Sequence, residues 1–494
     1  MERSIFGNIS PLDHRYSLSE KGVFDALVPY LSEEASILMC VKAEAALVLA
    51  HLKDRGKLTA EIRAVLERAA GSVRPEEVYA EEEKTRHNIR ALVNVLKTKV
   101  PLEIAPLVHL GATSVDILDT SFACRIKRAA LEVVLPLLTK MENQLCAIAE
   151  REAETPQVGR THGQHAVPIT VGFAFAEYVA RAGKSIARIR ELAADLRGKL
   201  AGAVGAYNAT GMLTRDPEQL ELYFLDEMGL LPSEHSTQLV EPEHILRLLL
   251  EFNVCFGIIA NLADDIRNLQ RSEIGEAREG FSSTQVGSST MPQKRNPWNS
   301  EHVKSLWKAF MPHVTTFFMD QISEHQRDLT NSASQRFVAE YITGFCMAAE
   351  RMCAVLSSLS FDRENLLRNL GVNAPGTAGG SGGGIPGGIL AEPAYILLAE
   401  SGVSDAHEEI RKITLACERE RVSFAAALIR EKALFAKIAA QMLKLGIART
   451  EAEAAAFFEH PEKYNGLAAK KARELARKYG NGELQNSGKF AKCI

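Results

Sequence analysis

The run Gly287-Ser288-Ser289-Thr290-Met291-Pro292-Gln293-Lys294-Arg295-Asn296-Pro297 sets two adjacent hydroxyls, two cations and an amide side by side. Ser288 and Ser289 are candidate nucleophiles or proton acceptors, and Lys294 can hold a carboxylate. Pro297 lacks a backbone N–H and suits the first turn of a helix, so a helix is expected from Trp298. A loop that runs into a helix N-terminus aims several N–H groups at one point, which favours a bound or developing anion. Composition alone reads the run equally as a capping loop, because serine ahead of a helix is commonly a cap.

Other segments gather polar groups of the same kind. Arg160-Thr161-His162-Gly163-Gln164-His165 places two histidines, an arginine and an amide in a loop just ahead of a helical pattern. Histidine titrates near neutral pH and serves readily as a general acid. Two histidines three apart can also share a metal, but no HExxH motif or Cys/His cluster supplies further ligands. No metal and no cofactor is therefore expected. Lys84-Thr85-Arg86-His87-Asn88 sets a histidine beside an amide, which can fix an imidazole tautomer but cannot hold it charged. His109-Leu110-Gly111-Ala112-Thr113-Ser114-Val115-Asp116 reads as a helix N-cap, and a capping loop doubles as an anion site.

Helices must carry these loops. Apolar residues recur at helical spacing from Val23 to Asp54, Leu58 to Ala70 and Glu76 to Val100, with Pro101 and Pro106 marking a boundary. Longer patterns follow from Val115 to Glu154, Thr170 to Lys199, Pro242 to Ser272, Trp298 to His325 (Pro312 a kink) and Asn331 to Ser358. The stretch from Pro242 is apolar on most faces and so must be buried on most of its surface. Long helices with few strand signals predict an all-α bundle. The expected division is an N-terminal helical part (1–108), a central long-helix bundle (109–358) and a C-terminal helical part (359–494). In the last part Ala425 to Lys478 reads as a helical tail with a solvated charged face. Gly376 to Gly388 contains G-x-G-x-x-G, but no βαβ unit surrounds it, so it reads as a flexible or tightly turned loop.

Composition narrows the function classes. A net charge of −4 provides no basic field for nucleic acid. No apolar run is read as reaching the roughly 20 residues that span a bilayer, and Met1 to Ser10 is too short and polar for a secretory signal. Eight cysteines lack any CxxC pair and mostly fall in apolar helical patterns. They read as reduced core residues of a cytoplasmic protein.

The run from Gly287 resembles the signature of the fumarase/aspartase superfamily of lyases, Gly-Ser-Ser-x-Met-Pro-x-Lys-x-Asn-Pro. That resemblance implies that Ser288 is the base removing a proton beside a carboxylate. The Arg-Thr-His-Gly-Gln string is similar to the segment from which the adenylosuccinate lyase branch takes its general acid. It implies His162 in that role, with Thr161 and Gln164 contacting substrate. Lys84 to Asn88 resembles that branch's Thr-x-His-Asp segment, implying that His87 assists catalysis, with Arg86 and Asn88 at the substrate. In the first signature region the Thr113-Ser114 pair is implied to bind a substrate carboxylate.

Ser10 to Tyr16 resembles the branch's phosphate-holding segment, implying Arg15 and Tyr16. Glu324 to Arg336 implies that Arg327, Ser332 and Arg336 complete an AMP pocket, since arginine forks suit phosphate. Gln238, Ser289, Met291 and Asn296 are implied substrate contacts. Lys294 is implied to stabilise the intermediate, and Glu301 to orient His162 or His87 from another subunit. The resemblance further implies three helical domains, a homotetramer whose core is a twenty-helix bundle, sites shared between chains, and a succinyl-purine nucleotide as substrate. Gln293 in place of the branch's usual His, Asn88 in place of Asp, and Leu239-Val240-Glu241 depart from its pattern. They leave argininosuccinate lyase or a muconate cycloisomerase-like enzyme as alternatives. A non-catalytic descendant is disfavoured because Ser288, His162, Lys294, Asn296 and Glu301 are all present.

Overall fold

Caps written into the sequence open many of the helices. After the short α1 (Arg15–Ser19) and α2 (Lys21–Leu31), the Ser32 hydroxyl accepts the Ala35 N–H and begins α3 (Glu33–Asp54). Glu33 and Glu34 in its first turn complement the positive end of the helix dipole. Thr59 caps α4 (Ala60–Gly71), and Pro75 takes the first position of α5 (Pro75–Thr85). Arg86 then turns left-handed, with φ 55°, which separates α5 from α6 (Asn88–Lys99) where periodicity predicts one stretch. Thr113 and Asp116 form a capping box for α7 (Ser114–Ala129), joined through a π turn at Ala130–Val134 to α8 (Leu135–Arg151). The computed structural model describes residues 4–281, 287–328, 330–371, 385 and 387–480. Most of the glycine-rich run, and Cys493, lie outside them.

Where the sequence reads as a loop, an antiparallel hairpin forms from β1 (Pro156–Thr161) and β2 (Gln164–Thr170). Val158, Val167 and Ile169 are β-branched and suit the pleat. Next come α9 (Val171–Ala194), β3 (Arg197–Gly198), α10 (Pro217–Met228), β4 (Leu231–Pro232), α11 (Glu243–Leu269) and β5 (Ala277–Arg278). The expected helix from Trp298 to His325 is instead α12 (Trp298–Phe310) and α13 (His313–Met319), broken at Met311-Pro312. Proline removes the N–H that a continuous helix would need. Then α14 (Val338–Ser358) starts later than the expected Asn331, after a 3₁₀ turn at Ser334–Phe337. β6 (Ser360–Phe361) pairs with β5, and β3 with β4.

The chain continues through α15 (Arg363–Leu370), α16 (Ala391–Glu400), α17 (Ala406–Glu420), α18 (Phe424–Arg430), α19 (Lys432–Leu445), α20 (Glu451–Phe457) and α21 (Ala468–Gly480). The expected tail from Ala425 to Lys478 is thus four helices. Gly446 ends α19 in the left-handed region at φ 71°, and Pro461 intervenes before α21.

Helices α8, α9, α11, α12 and α14 pack against one another as the bundle. Phe345 of α14 stacks on Phe252 and meets Phe256 edge-on, with ring centroids 5.5 and 5.4 Å apart. From the far end of the chain α21 returns onto α8 and α9. There Tyr479 packs on Gly183 so closely that a Cβ at position 183 would sit 2.3 Å from the ring. Residues between Leu390 and Phe458 form a second core of their own. The described cysteines are all buried and unpaired.

Two helical stretches, Lys21–Asp54 and α11, are in fact long and apolar enough to cross a membrane, against the expectation from sequence. Both are accounted for as core helices, though unequally. The apolar window of the first is 78% buried inside the chain and that of α11 only 56%. On α11 Val254 is 54% exposed, and Leu250, Gly257 and Asn261 on the same stripe are half-buried.

Glu142 lies within the bundle core, and neither of its carboxylate oxygens has a hydrogen-bond partner. Burial lifts its carboxyl from the ordinary 4.5 to about 8. The folded chain then holds a proton that the unfolded chain releases. The contribution of Glu142 to stability is therefore fully present below about pH 4.5 and is lost as pH rises to about 8. Glu142→Gln should remove this slope. Its melting temperature at pH 9 should exceed the parent's by ~5 °C, while at pH 5 the two should agree within ~2 °C by calorimetry.

Candidate active site

The run from Gly287 closes on itself through its backbone. Asn296 Nδ2 donates to the Gly287 carbonyl at 3.1 Å, and the Lys294 N–H to the Met291 carbonyl at 3.0 Å. A Cβ on residue 287 would meet the Lys294 carbonyl at 2.1 Å, so only glycine fits. Within the loop, Ser288 Oγ accepts the N–H groups of Thr290 and Met291 at 3.3 and 3.1 Å. Two amide donors on one hydroxyl oxygen favour its deprotonated form. Ser289, Met291 and Lys294 are exposed. Lys294, Asn296 and Glu301 line an open cleft together with Arg267 and Arg271 at the end of α11.

The N-terminus of α12 is not left open for an anion, as the sequence suggests. Glu279 accepts the N–H groups of Asn299 and Ser300 at 3.3 and 2.8 Å and the Ser300 hydroxyl at 2.5 Å. The chain's own carboxylate fills the place a ligand would take. Pro297 precedes the first turn as N-cap.

His162 stands at the tip of the β1–β2 hairpin. Thr161 pairs with Gln164 across a turn in which His162 and Gly163 both have positive φ, 54° and 76°. That combination is the type I′ hairpin turn, and it is strained for a non-glycine residue. Residues 161–165 are all exposed. The hairpin is anchored by Arg160, whose guanidinium forks onto the fully buried Glu276 at 2.5 and 3.1 Å. Gln157 and Asn369 add donors to the same carboxylate at 2.8 and 2.9 Å. His165 is opposite Arg160 in the pairing, and partial desolvation of its ring, with the Arg160 charge nearby, holds its imidazole below the ordinary value.

The first signature region is built on another carboxylate. Asp116, fully buried, accepts the Thr113 N–H at 2.8 Å and the N–H groups of Ala201 and Gly202 at 3.2 and 3.3 Å. It also binds the buried ammonium of Lys199. His109 Nδ1 donates to the buried Glu44 carboxylate at 2.7 Å, and His51 contacts the Leu110 carbonyl at 2.8 Å. Ser114 Oγ meets His87 Nε2 at 3.4 Å. His87 Nδ1 accepts the Arg90 N–H at 3.3 Å, which leaves the proton of a neutral ring on Nε2. Asn88 was expected to fix that tautomer, yet its Oδ1 accepts the Ile89 N–H instead. Arg86 is exposed beside them.

Gln238 is tied by its N–H to the Gln326 carbonyl at 3.2 Å. Arg327 donates to the Asp320 carbonyl at 2.7 Å, the Ser323 hydroxyl at 2.9 Å and the Gln321 carbonyl at 3.3 Å. Its guanidinium shapes its own loop in addition to any ligand it meets. It lines a narrow pocket with Asp119 and Asn331, and Asp119 accepts the Val240 N–H at 3.0 Å. Ser332 and Arg336 are exposed. Tyr16 reaches His302 on α12 at 2.8 Å, and Arg15 is exposed next to it.

These groups therefore fall at two places within one chain. Gln238, Arg327 and, through Asp119, the first signature region flank the beginning of α11. The Ser288 loop adjoins its other end, where Gln270 Nε2 donates to the Arg295 carbonyl. A helix of that length spans ~40 Å. The sequence reading did not single out the anchors Asp116, Lys199, Glu276, Glu279 and Glu44, nor His302. Only Asp116 carried a signal, as the third residue after a capping threonine.

The sequence pattern of a family described as lyase matches residues 18–309, and that of the adenylosuccinate lyase C-terminal region matches residues 323–449. Adenylosuccinate lyase of Pyrococcus horikoshii is 35% identical over 83% of this chain and 88% of its own length. The adenylosuccinate lyase of Archaeoglobus fulgidus is 31% identical over 86% and 90%. In fold, the chain resembles the 3-carboxy-cis,cis-muconate lactonizing enzyme of Pseudomonas putida, with TM-score 0.77, 23% identity and coverage of 92% and 97%. With relatives and family patterns in agreement over most of its length, the chain belongs to the adenylosuccinate lyase family of C–N lyases, within the fumarase/aspartase superfamily.

Proposed function

We propose that the chain eliminates fumarate from adenylosuccinate, leaving AMP, and acts likewise on the analogous succinyl-carboxamide of purine synthesis. The observation that carries the reading is the Ser288 oxygen held by two amide N–H groups within a loop bearing Lys294. Serine has no acidic pKa of its own, and donors aimed at its oxygen are what make it a base. Ser288 takes the proton from the carbon beside a substrate carboxylate, and the electron pair moves onto that carboxylate. The Lys294 ammonium stabilises the doubly charged intermediate. The pair then returns to form the carbon–carbon double bond of fumarate as the C–N bond breaks, and His162 protonates the departing nitrogen.

His87, Thr113 and Ser114 hold a substrate carboxylate, with Arg86, Asn88, Thr161, Gln164, Gln238, Ser289, Met291 and Asn296 around the succinyl and purine groups. Arg15, Tyr16, Arg327, Ser332 and Arg336 take the nucleotide. Glu301 orients a histidine. Groups at the two ends of α11, Ser288 and Lys294 at one and Gln238 and Arg327 at the other, cannot meet one substrate within a single chain across ~40 Å. A homotetramer sharing its sites brings them together, and the exposed Val254 on α11 supports it. A cytoplasmic setting fits the buried free thiols.

Ser288→Ala should reduce the absorbance change on mixing with adenylosuccinate by ~10³-fold or more, with substrate still bound at close to parental affinity in calorimetry. Lost affinity with normal turnover would remove Ser288 as the base. Arg160→Lys keeps the charge but not the fork onto Glu276. It should lower kcat by ~10–100-fold, with KM changed far less, because a small misplacement of His162 is felt mainly in proton transfer.

A further inference from the structure

Tyr16 belongs to the five-residue helix α1, too short to hold a side chain in place by itself. Its hydroxyl is nevertheless fixed, 2.8 Å from Nε2 of His302, with the two rings 5.7 Å apart. His302 stands next to Glu301, in the second turn of the helix that follows the Ser288 loop. Glu301 is exposed, while His302 is turned inward and half-buried. Arg351 of α14 secures the surroundings. Its guanidinium binds Glu20 at 2.7 Å and Asn299 at 3.0 Å and lies over the Trp298 ring at 5.3 Å. Arg15 stays exposed alongside. Burial, with Arg351 and Arg15, holds the imidazole below its ordinary value, so the ring is neutral at pH 7. A neutral imidazole that donates from Nε2 to the phenol oxygen frees the phenol proton to point away from α12.

We propose that His302 is a positioning residue for nucleotide recognition: it donates to Tyr16 and so aims the Tyr16 hydroxyl, beside Arg15, at a phosphate monoester. The assignment rests on the reading of Arg15 and Tyr16 as the phosphate site. Through the Tyr16 link, α12 ties the phosphate contact to the loop that carries Ser288. Hydrogen bonds in such a chain polarise one another, so that His302 acts on the ligand without touching it.

The test measures inhibition of the full-length enzyme by AMP and by fumarate, which lacks the phosphate, in Tyr16→Phe, His302→Leu, His302→Gln and Tyr16→Phe/His302→Leu. Tyr16→Phe and His302→Leu should each raise the inhibition constant of AMP by ~10-fold, as for loss of a hydrogen bond to a charged group. The double variant should be no worse than either single one, and the fumarate constant should stay within ~2-fold throughout. His302→Gln, whose amide can still donate, should recover most of the AMP affinity. An unchanged AMP constant in His302→Leu beside a raised one in Tyr16→Phe overturns the role of His302 and keeps the phosphate site. Additive losses, or an equal loss of fumarate affinity, also overturn it. An unchanged AMP constant in Tyr16→Phe overturns the phosphate reading and the role of His302 together.

Discussion

A straight helix of ~40 Å cannot bring its two ends together, and α11 is such a helix. Its apolar core residues lock it against α9, α12 and α14, so the distance between its ends is set by packing and not by loop choice. The Ser288 loop adjoins one end, and Gln238 and Arg327 adjoin the other. Groups at the two ends therefore cannot meet at one point within a single chain, and Val254, on one face of α11, is left exposed by its own chain.

A second regularity lies beneath the loops. Asp116 supports the Thr113-Ser114 turn, Glu276 supports the hairpin, and Glu279 supports the start of α12. Each carboxylate gathers donors from separate segments, and Asp116 and Glu276 are fully buried. Removing one partner of a buried ion pair typically costs ~3–5 kcal/mol, because the remaining charge is stranded. Polar loops that would otherwise sample many shapes are held to one. Exposed side chains such as His162 then rest on rigid supports.

Some of this was legible in the residues themselves. Helical spacing located the bundle helices, and Thr113, Ser32 and Thr170 opened the helices that a capping side chain should open. The order of residues from Gly287 to Pro297 marked the loop that holds Ser288. Periodicity failed where a break is imposed by one residue, as at Arg86 and Gly446, because an apolar pattern continues across a turn of the right length. The hairpin was missed because its exposed tip is polar and short, and only the pairing of Arg160 with His165 makes it a sheet.

What the sequence determined by itself was the chemistry: a serine in a tight amide-rich loop, a lysine close behind it, histidines on separate loops, and family membership. These depend on residue types in fixed local order, which no packing can alter. Tertiary structure alone decided which groups are free to act. It put Glu279 on the α12 N-terminus, turned the Asn88 amide away from His87, bound the Arg327 guanidinium to its own loop and joined Tyr16 to His302. Each partner is distant in sequence or set by backbone geometry, so the competition between a protein donor and a ligand is settled only once the chain has folded.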